Sequence, residues 1–344
     1  MSASGSTVTG RDEFALLADP YRGELLAHCY RMLGSLHDAE DQVQETLLRA
    51  WRSYSEFEGR SSMRTWLHRI ATNTCLRALE TRSRRPLPSG LGEAAGNADG
   101  PVPVPNLDVP WLQPFPAGPM GTGADDPAAV VTARASLRLA LIAALQYLPP
   151  RQRAVLILRD VLGWHAAEVA DLLGASTAAA NSALQRARAQ IASLVPDEDD
   201  ILEPDDPKVR ALLSRYAAAF ETADVAGLTE LLRADAVLEM PPIATWFAGR
   251  EQVTRFLGSR VLIRPGDFAM TAVQANGQPS VAAYQRGDDG SYGAHAIQVL
   301  TIRAGRISRI ASFNDGSLFA AFGLPARYPG PPPVVDRLGS IDRA

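Results

Sequence analysis

The sequence predicts a multi-domain chain in which two all-α domains are followed by an α+β domain, and three observations predict it. Between Pro20 and Pro86 no proline interrupts a run whose apolar residues recur at three and four positions. A stretch rich in proline and glycine then separates this block from a second helical one. Past an acidic run, helices give way to period-two segments divided by glycine turns. The length of 344 residues suits two to three domains, and a hydrophobic share of 46% with a net charge of -4 is the composition of a soluble globular protein.

In the first block, residues 11–88, the stretch from Asp38 to Arg85 holds two helices. Val43, Leu47, Trp51 and Tyr54 give the first its apolar stripe, with Asp41, Gln44, Glu45 and Arg52 on other faces and Asp38 as the expected N-cap. A polar turn at Glu58, Gly59, Arg60 and Ser61 leads to a second stripe through Met63, Trp66, Leu67, Ile70 and Thr74. One helix is acidic at its start and the next is basic and aromatic. That asymmetry predicts a basic partner for the first and an anionic partner for the second.

Residues 89–126 read as an extended linker, in which Trp111, Leu112 and Phe115 form an apolar island better suited to docking than to spacing. From 127 to 195 helices return. PPRQRAVLILRDVLG opens on two prolines, and Gly174 divides a short apolar face at Ala167, Ala170 and Leu173 from another at Ala180, Leu184, Ala187 and Ile191. Two short helices about a glycine turn outline a helix-turn-helix. Residues 196–206 are an acidic, solvated hinge. In 207–325, an amphipathic helix through Val209, Leu212, Leu213, Tyr216 and Phe220 and a shorter helix at Leu228 to Leu232 come first. The segments AVLEM and WFAG, a helix near Glu251 to Leu257, and an antiparallel meander of FAMTAVQA, SVAAYQR, GAHAIQVLTIR and ISRIASFN follow. The tail, 326–344, reads as irregular.

Cys29 and Cys75 are the only cysteines, and neither has a cysteine or histidine at metal-ligand spacing, so both read as buried reduced thiols. His28, His37, His68, His165 and His295 are scattered, and no metal or other cofactor is expected. No run approaches 18 apolar residues and MSASGSTVTGRDEF lacks a signal pattern, so a cytoplasmic protein with no membrane partner is expected.

DAEDQVQETLLRAW, followed by a loop and SSMRTWLHRIATNTCLRALETRSRR, resembles region 2, the promoter-melting domain of bacterial sigma-70-family factors of the extracytoplasmic-function (ECF) group. LPPRQRAVLILRDVLGWHAAEVADLLGASTAAANSALQRARAQI resembles region 4, their helix-turn-helix, in the family's order. The resemblance implies two partners, core RNA polymerase and promoter DNA. It assigns Asp38, Glu40, Asp41, Gln44 and Glu45 to the basic coiled coil of the polymerase clamp. It assigns Arg60, Arg64, Thr65, Trp66, Arg69 and Arg77 to the promoter element near the start site. Trp66 also shares the apolar stripe, so a core role stands beside a base contact. For the distal element it implies Thr177, Asn181, Ser182, Gln185, Arg186 and Arg188, although Asn181 and Ala183 depart from the family's basic pattern there.

The third block resembles the SnoaL-like, ketosteroid-isomerase-like cone that some ECF factors carry behind region 4. PWLQPFP is similar to a Trp-Leu-Pro motif of those fused factors, and Asn314 to Gly316 fall near one of their tail motifs. The expected activity is that of a sigma factor whose cone regulates it in cis, not that of an enzyme. The alternatives are a cyclase or isomerase tethered to a DNA-binding module and, third, an ordinary repressor using the helix-turn-helix. Cone-pocket candidates are Glu239, Trp246, Tyr284, His295 and Asn314, with alternation placing His295, Ile297 and Val299 on one strand face. Whether the cone takes a small-molecule ligand stays open in the sequence.

Overall fold

The computed structural model describes residues 10–101, 104–116, 135–195 and 206–329. Among these the chain forms two compact units, one of residues up to 85 with those of 135–195, the other of residues 86–116 with those from 206 onward. Most of the acidic hinge and the tail from residue 330 lie outside the described residues.

The first unit is all-α: α1 (Gly10–Ala18), α2 (Arg22–Leu33), α3 (Leu36–Arg52), α4 (Met63–Glu80), α5 (Leu139–Leu145), α6 (Pro150–Leu156) running into a π-helical turn (Ile157–Val161), α7 (Ala166–Leu173) and α8 (Thr177–Leu194). The N-cap of α3 is Ser35, whose hydroxyl accepts the Asp38 N–H at 3.2 Å, so Asp38 sits in the first turn and is not the cap. Ser62 caps α4 in the same way, accepting from Thr65 N–H at 3.1 Å.

The core faces of α3 and α4 differ from the apolar stripes. On α3 the buried residues are Leu36, Ala39, Val43, Thr46 and Ala50; on α4 they are Leu67, His68, Ala71, Thr72, Thr74 and Cys75. Small residues let the helices approach, and hydroxyls pair across the seam, as Thr46 Oγ1 does with Thr74 Oγ1 at 3.2 Å. Trp51 and Tyr54 instead meet Phe14 of α1, at ring distances of 5.9 and 5.3 Å.

The second unit contains α9 (Pro207–Glu221), α10 (Val225–Leu231), β1 (Leu232–Met240), β2 (Ile243–Ala248), α11 (Arg250–Arg260), β3 (Phe268–Ala275), β4 (Gln278–Arg286), β5 (Tyr292–Arg303) and β6 (Arg306–Phe313). Its six-stranded sheet has the order β2-β1-β6-β5-β4-β3. The four expected segments form the antiparallel meander β3 to β6, and AVLEM lies in β1, which pairs parallel to β6. The main core draws Val209, Tyr216 and Phe220 from α9, Phe256 from α11, and Leu238, Phe268, Val281, Ala283, Ala296, Leu300 and Ile310 from the sheet.

Residues 86–116 belong to this unit. Trp111, Leu112 and Phe115 are 9%, 0% and 4% exposed, whereas Val104 and Leu107 in the same stretch are 74% and 82% exposed. The start of the tail is paired rather than irregular: Ala294 N–H donates to Ala326 O at 2.9 Å and Tyr328 N–H to Tyr292 O at 3.0 Å.

Candidate polymerase and nucleic-acid interfaces

Burying Ala39, Val43, Thr46 and Ala50 turns the opposite side of α3 to solvent. Glu40, Asp41 and Gln44 are exposed there, and Leu48, 43% exposed, continues the stripe. Glu45 is half-buried and pairs with Arg49 at 2.5 Å. Leu48 was not among the sequence candidates, because a leucine at helical spacing reads as core. It lines a groove of about 310 Å³ between α1 and α3 with Phe14, Ala18, Leu47 and Trp51. Asp38 is apart from this surface: its carboxylate accepts from both Arg82 and Arg85, and its side chain is 15% exposed.

The promoter-facing candidates of region 2 divide. Arg60 is exposed and pairs with Glu58 at 2.9 Å, and Arg77 is exposed. Arg64 forks onto the Glu24 carboxylate, and Arg69 Nη2 reaches Asp171 Oδ2 of α7 at 2.7 Å. Trp66 is half-buried with its ring 4.6 Å from that of Phe57, so it ties the 57–62 loop to α4. Thr65 Oγ1 lies 2.9 Å from Ser62 Oγ at the helix start.

Beneath these groups His28 and His68 are buried edge to face, 5.3 Å apart. His28 Nε2 shares a hydrogen bond with Thr72 Oγ1 at 3.0 Å and His68 Nδ1 lies 2.8 Å from the Arg64 carbonyl; the other nitrogen of each ring has no hydrogen-bond partner among the described residues, and His68 Nε2 stands 3.9 Å from Glu24 Oε1. Desolvation, joined for His28 by the neighbouring His68, holds both below the ordinary 6.5, although Glu24 raises His68 somewhat. Folding therefore favours the neutral rings. Their contribution is complete above pH 6.5 and is lost as pH falls through the lower folded-state values, because the unfolded chain binds more protons. The melting temperature of the helical unit is expected to drop between pH 7.5 and 5. A His28→Gln, His68→Gln double variant should flatten that dependence, and equal slopes would refute the assignment.

In the helix-turn-helix, α7 ends at Gly174, whose φ of +60° is the left-handed conformation that the turn needs. Ser176 caps α8, accepting from Ala179 N–H at 3.1 Å. With Ala180, Leu184 and Ala187 buried, Thr177, Asn181, Ser182, Gln185, Arg186 and Arg188 are exposed. Arg188 is held by both oxygens of Asp160, at 2.9 and 2.6 Å, and the π-helical turn presents that carboxylate. Asp160 lay within an apolar run and gave no sequence signal.

Of the five cone candidates, Glu239 and Trp246 stand opposite each other in the β1–β2 pair, and each of the five has other groups around it. Glu239, 0% exposed, pairs with Arg309 and accepts Ser89 N–H at 2.9 Å. Trp246 Nε1–H donates to Gly92 O at 3.0 Å, and Tyr284 OH to Pro325 O at 3.1 Å. Asn314 Oδ1 accepts from Ser312 Oγ at 2.8 Å. His295 lies 5.9 Å from Phe268 in the helix-side core, and desolvation lowers its pKa. A β-bulge leaves it without a partner between Ala294 and Ala296, so alternation breaks there. Ala296, Leu300 and Ile302 face the helix-side core, and Ile297 and Val299 do not share that face. Among the described residues no hydrogen bond joins any two of the five, no three metal-ligating side chains cluster, and no helix is long and apolar enough to cross a membrane.

Family models for Sigma-70 region 2, Sigma-70 region 4 and a SnoaL-like domain match residues 17–85, 138–191 and 213–310. The ECF RNA polymerase sigma factor SigG of Mycobacterium tuberculosis is 51% identical over 317 residues, which cover 92% of this chain and 85% of that one. SigJ of the same organism is 28% identical over 326 residues, 90% of this chain and 94% of its own. The SigJ crystal structure matches with a TM-score of 0.58 at 25% identity, covering 91% of this chain and 99% of that one. With both sigma regions in order, a SnoaL-like cone behind them and this identity along nearly its whole length, the chain belongs to the ECF RNA polymerase sigma factors, which interact with RNA polymerase and promoter DNA in transcription initiation.

Proposed function

We propose that the cone regulates this sigma factor in cis by holding the segment that connects regions 2 and 4. The observation that carries this reading is the hydrogen bonding of residues 86–116 to the cone. Glu239 takes Ser89 N–H, and Trp246 accepts Ala95 N–H through its carbonyl at 2.8 Å. Pro242 O takes Asn106 N–H at 2.8 Å. Asn276, buried, accepts Phe115 N–H on Oδ1 at 2.9 Å and returns its own N–H to Phe115 O at 2.7 Å. A segment fixed at these points has less reach than a free linker, and reach sets how far two DNA-binding regions can part.

On this reading core polymerase meets Glu40, Asp41, Gln44, Glu45 and Leu48, while Asp38 holds the chain after α4 against α3. The loop with Arg60, and Thr65 and Arg77, face the promoter element near the start site. Asn181 and Gln185, suited to adenine edges, read the distal element with Thr177 and Ser182, while Arg186 and Arg188 meet phosphates.

Run-off transcription with purified core polymerase tests the proposal, comparing the full chain, a form ending at Val195, and an Asn276→Ala variant. Both altered forms are expected to change output in the same direction. If none directs initiation at any promoter, the sigma reading fails; if all three perform equally, the regulatory reading fails.

A further inference from the structure

The segment that connects the sigma regions meets the edge of the cone's sheet at two places and frames a cavity between them. Trp246 of β2 gives its indole N–H to Gly92 O and takes Ala95 N–H on its carbonyl. Further along, Asn106 N–H donates to Pro242 O and Pro105 bridges to Ile243. Residues 97–101 are held by α11 instead: Gln252 Oε1 accepts Ala98 N–H at 3.2 Å, and Arg260 Nη2 donates to Gly100 O at 3.1 Å. The cavity has a volume of about 790 Å³. Sites for small molecules run from about 300 to 1,000 Å³.

Its lining is apolar with a few hydrogen-bonding groups. Buried Ala98, Phe247 and Phe256 form the floor, the two rings stacked at 4.4 Å. Val104 and Leu107 also line it yet are exposed, apolar surface that an occupant would remove from water. Asn97 and Asn106 each accept a backbone N–H on Oδ1, from Asp99 at 2.9 Å and from Asp108 at 3.2 Å, which leaves each amide NH2 as a donor. These two amides and the Thr245 hydroxyl have no other hydrogen-bond partner among the described residues. Asp108 also lines the cavity, and its carboxylate repels an anionic ligand.

We infer that this cavity binds a small uncharged molecule, mostly apolar and carrying a carbonyl oxygen, and that the bound molecule fastens the connecting segment to the cone. The apolar floor takes the body of the molecule, and the amide and hydroxyl donors take its oxygen. Both sources of the lining are needed: Phe247, Phe256 and Thr245 come from the cone, whereas Asn97, Val104, Asn106 and Leu107 come from the segment. A ligand that touches both binds only the chain whose segment is held, so its binding stabilises that state. The site rests on the cavity alone. Its effect on transcription rests on the proposed regulation by the cone.

Prodan, a neutral naphthyl ketone whose emission moves to the blue when it leaves water, is the probe, added to the full chain. Saturable binding of one prodan per chain is expected. Ala244→Trp, at an exposed position of β2 that lines the cavity, should abolish it and leave Tm unchanged; should that protein fail to fold, Ala244→Leu takes its place. Thr245→Val should weaken binding about fivefold, the worth of one hydrogen bond, and parental affinity there overturns the choice of a carbonyl ligand. Binding that does not saturate, or equal affinity for the parent and the Ala244 variant, overturns the site. In run-off transcription saturating prodan should move the parent's output opposite to the change made by Asn276→Ala, and leave Ala244→Trp unaffected. Bound prodan with output unchanged, while Asn276→Ala alters it, overturns control by the ligand. If neither alters output, regulation by the cone is what fails, and the inferred control falls with it.

Discussion

Replacing Arg309 with alanine is expected to destabilise the cone by about 2–4 kcal/mol, toward the lower part of the cost of breaking a buried ion pair. Glu239 is fully buried in the sheet, where Arg309 and the Ser89 N–H are its partners. Without the guanidinium a carboxylate remains in the interior with one neutral donor. The Arg309 side chain is 35% exposed, so water entering the vacated space recovers part of the loss. A Glu239→Gln, Arg309→Ala double variant should be more stable than Arg309→Ala alone, because a neutral amide still accepts Ser89 N–H and leaves no charge behind. The measurement is urea denaturation of the full chain followed by a signal from the cone, since a chain of two units need not unfold in one step. A change below about 0.5 kcal/mol, the ordinary range for surface substitutions, would mean that the pair does not hold Glu239.

The second large effect is expected in the connecting segment. Leu112→Ala should cost about 2–5 kcal/mol, as for other leucines removed from a core, although it lies in a stretch with the composition of a spacer. The control is nearby: Leu107 is 82% exposed and Leu112 is 0% exposed, so Leu107→Ala should stay within about 0.5 kcal/mol. Thermal denaturation of both variants decides whether the segment is folded structure or tether. Equal, small losses would place residues 86–116 in solution and remove the basis for regulation through them. If Leu112→Ala also changes run-off transcription while Leu107→Ala does not, holding the segment and controlling the factor are one property.

Much of the fold followed from local chemistry. Helical period and the glycine between α7 and α8 are readable within a few residues, because turns use neighbouring backbone groups, whereas the expected cap Asp38 gave way to Ser35 three residues earlier. The order of the sigma regions and of the cone followed as well. The candidate sites were less complete. Asn181, Ser182, Gln185 and Arg186 stand together on the exposed face of α8 because small buried residues define the opposite face. Asp38 looked like its neighbours Glu40 and Asp41, and nothing near it in sequence announced Arg82 and Arg85.

By itself the sequence determined that this chain has two helical sigma regions and an α+β cone, since periodicity and turns depend on residues close to each other in the chain. Tertiary structure decided which polar groups are already engaged: Asp38 by two arginines, Arg69 by Asp171, Glu239 by Arg309. It also decided that β1 lies beside β6, that a bulge moves His295 out of register, and that Leu112 is core. Each depends on groups brought together from distant positions, where the burial of one partner sets the value of the other.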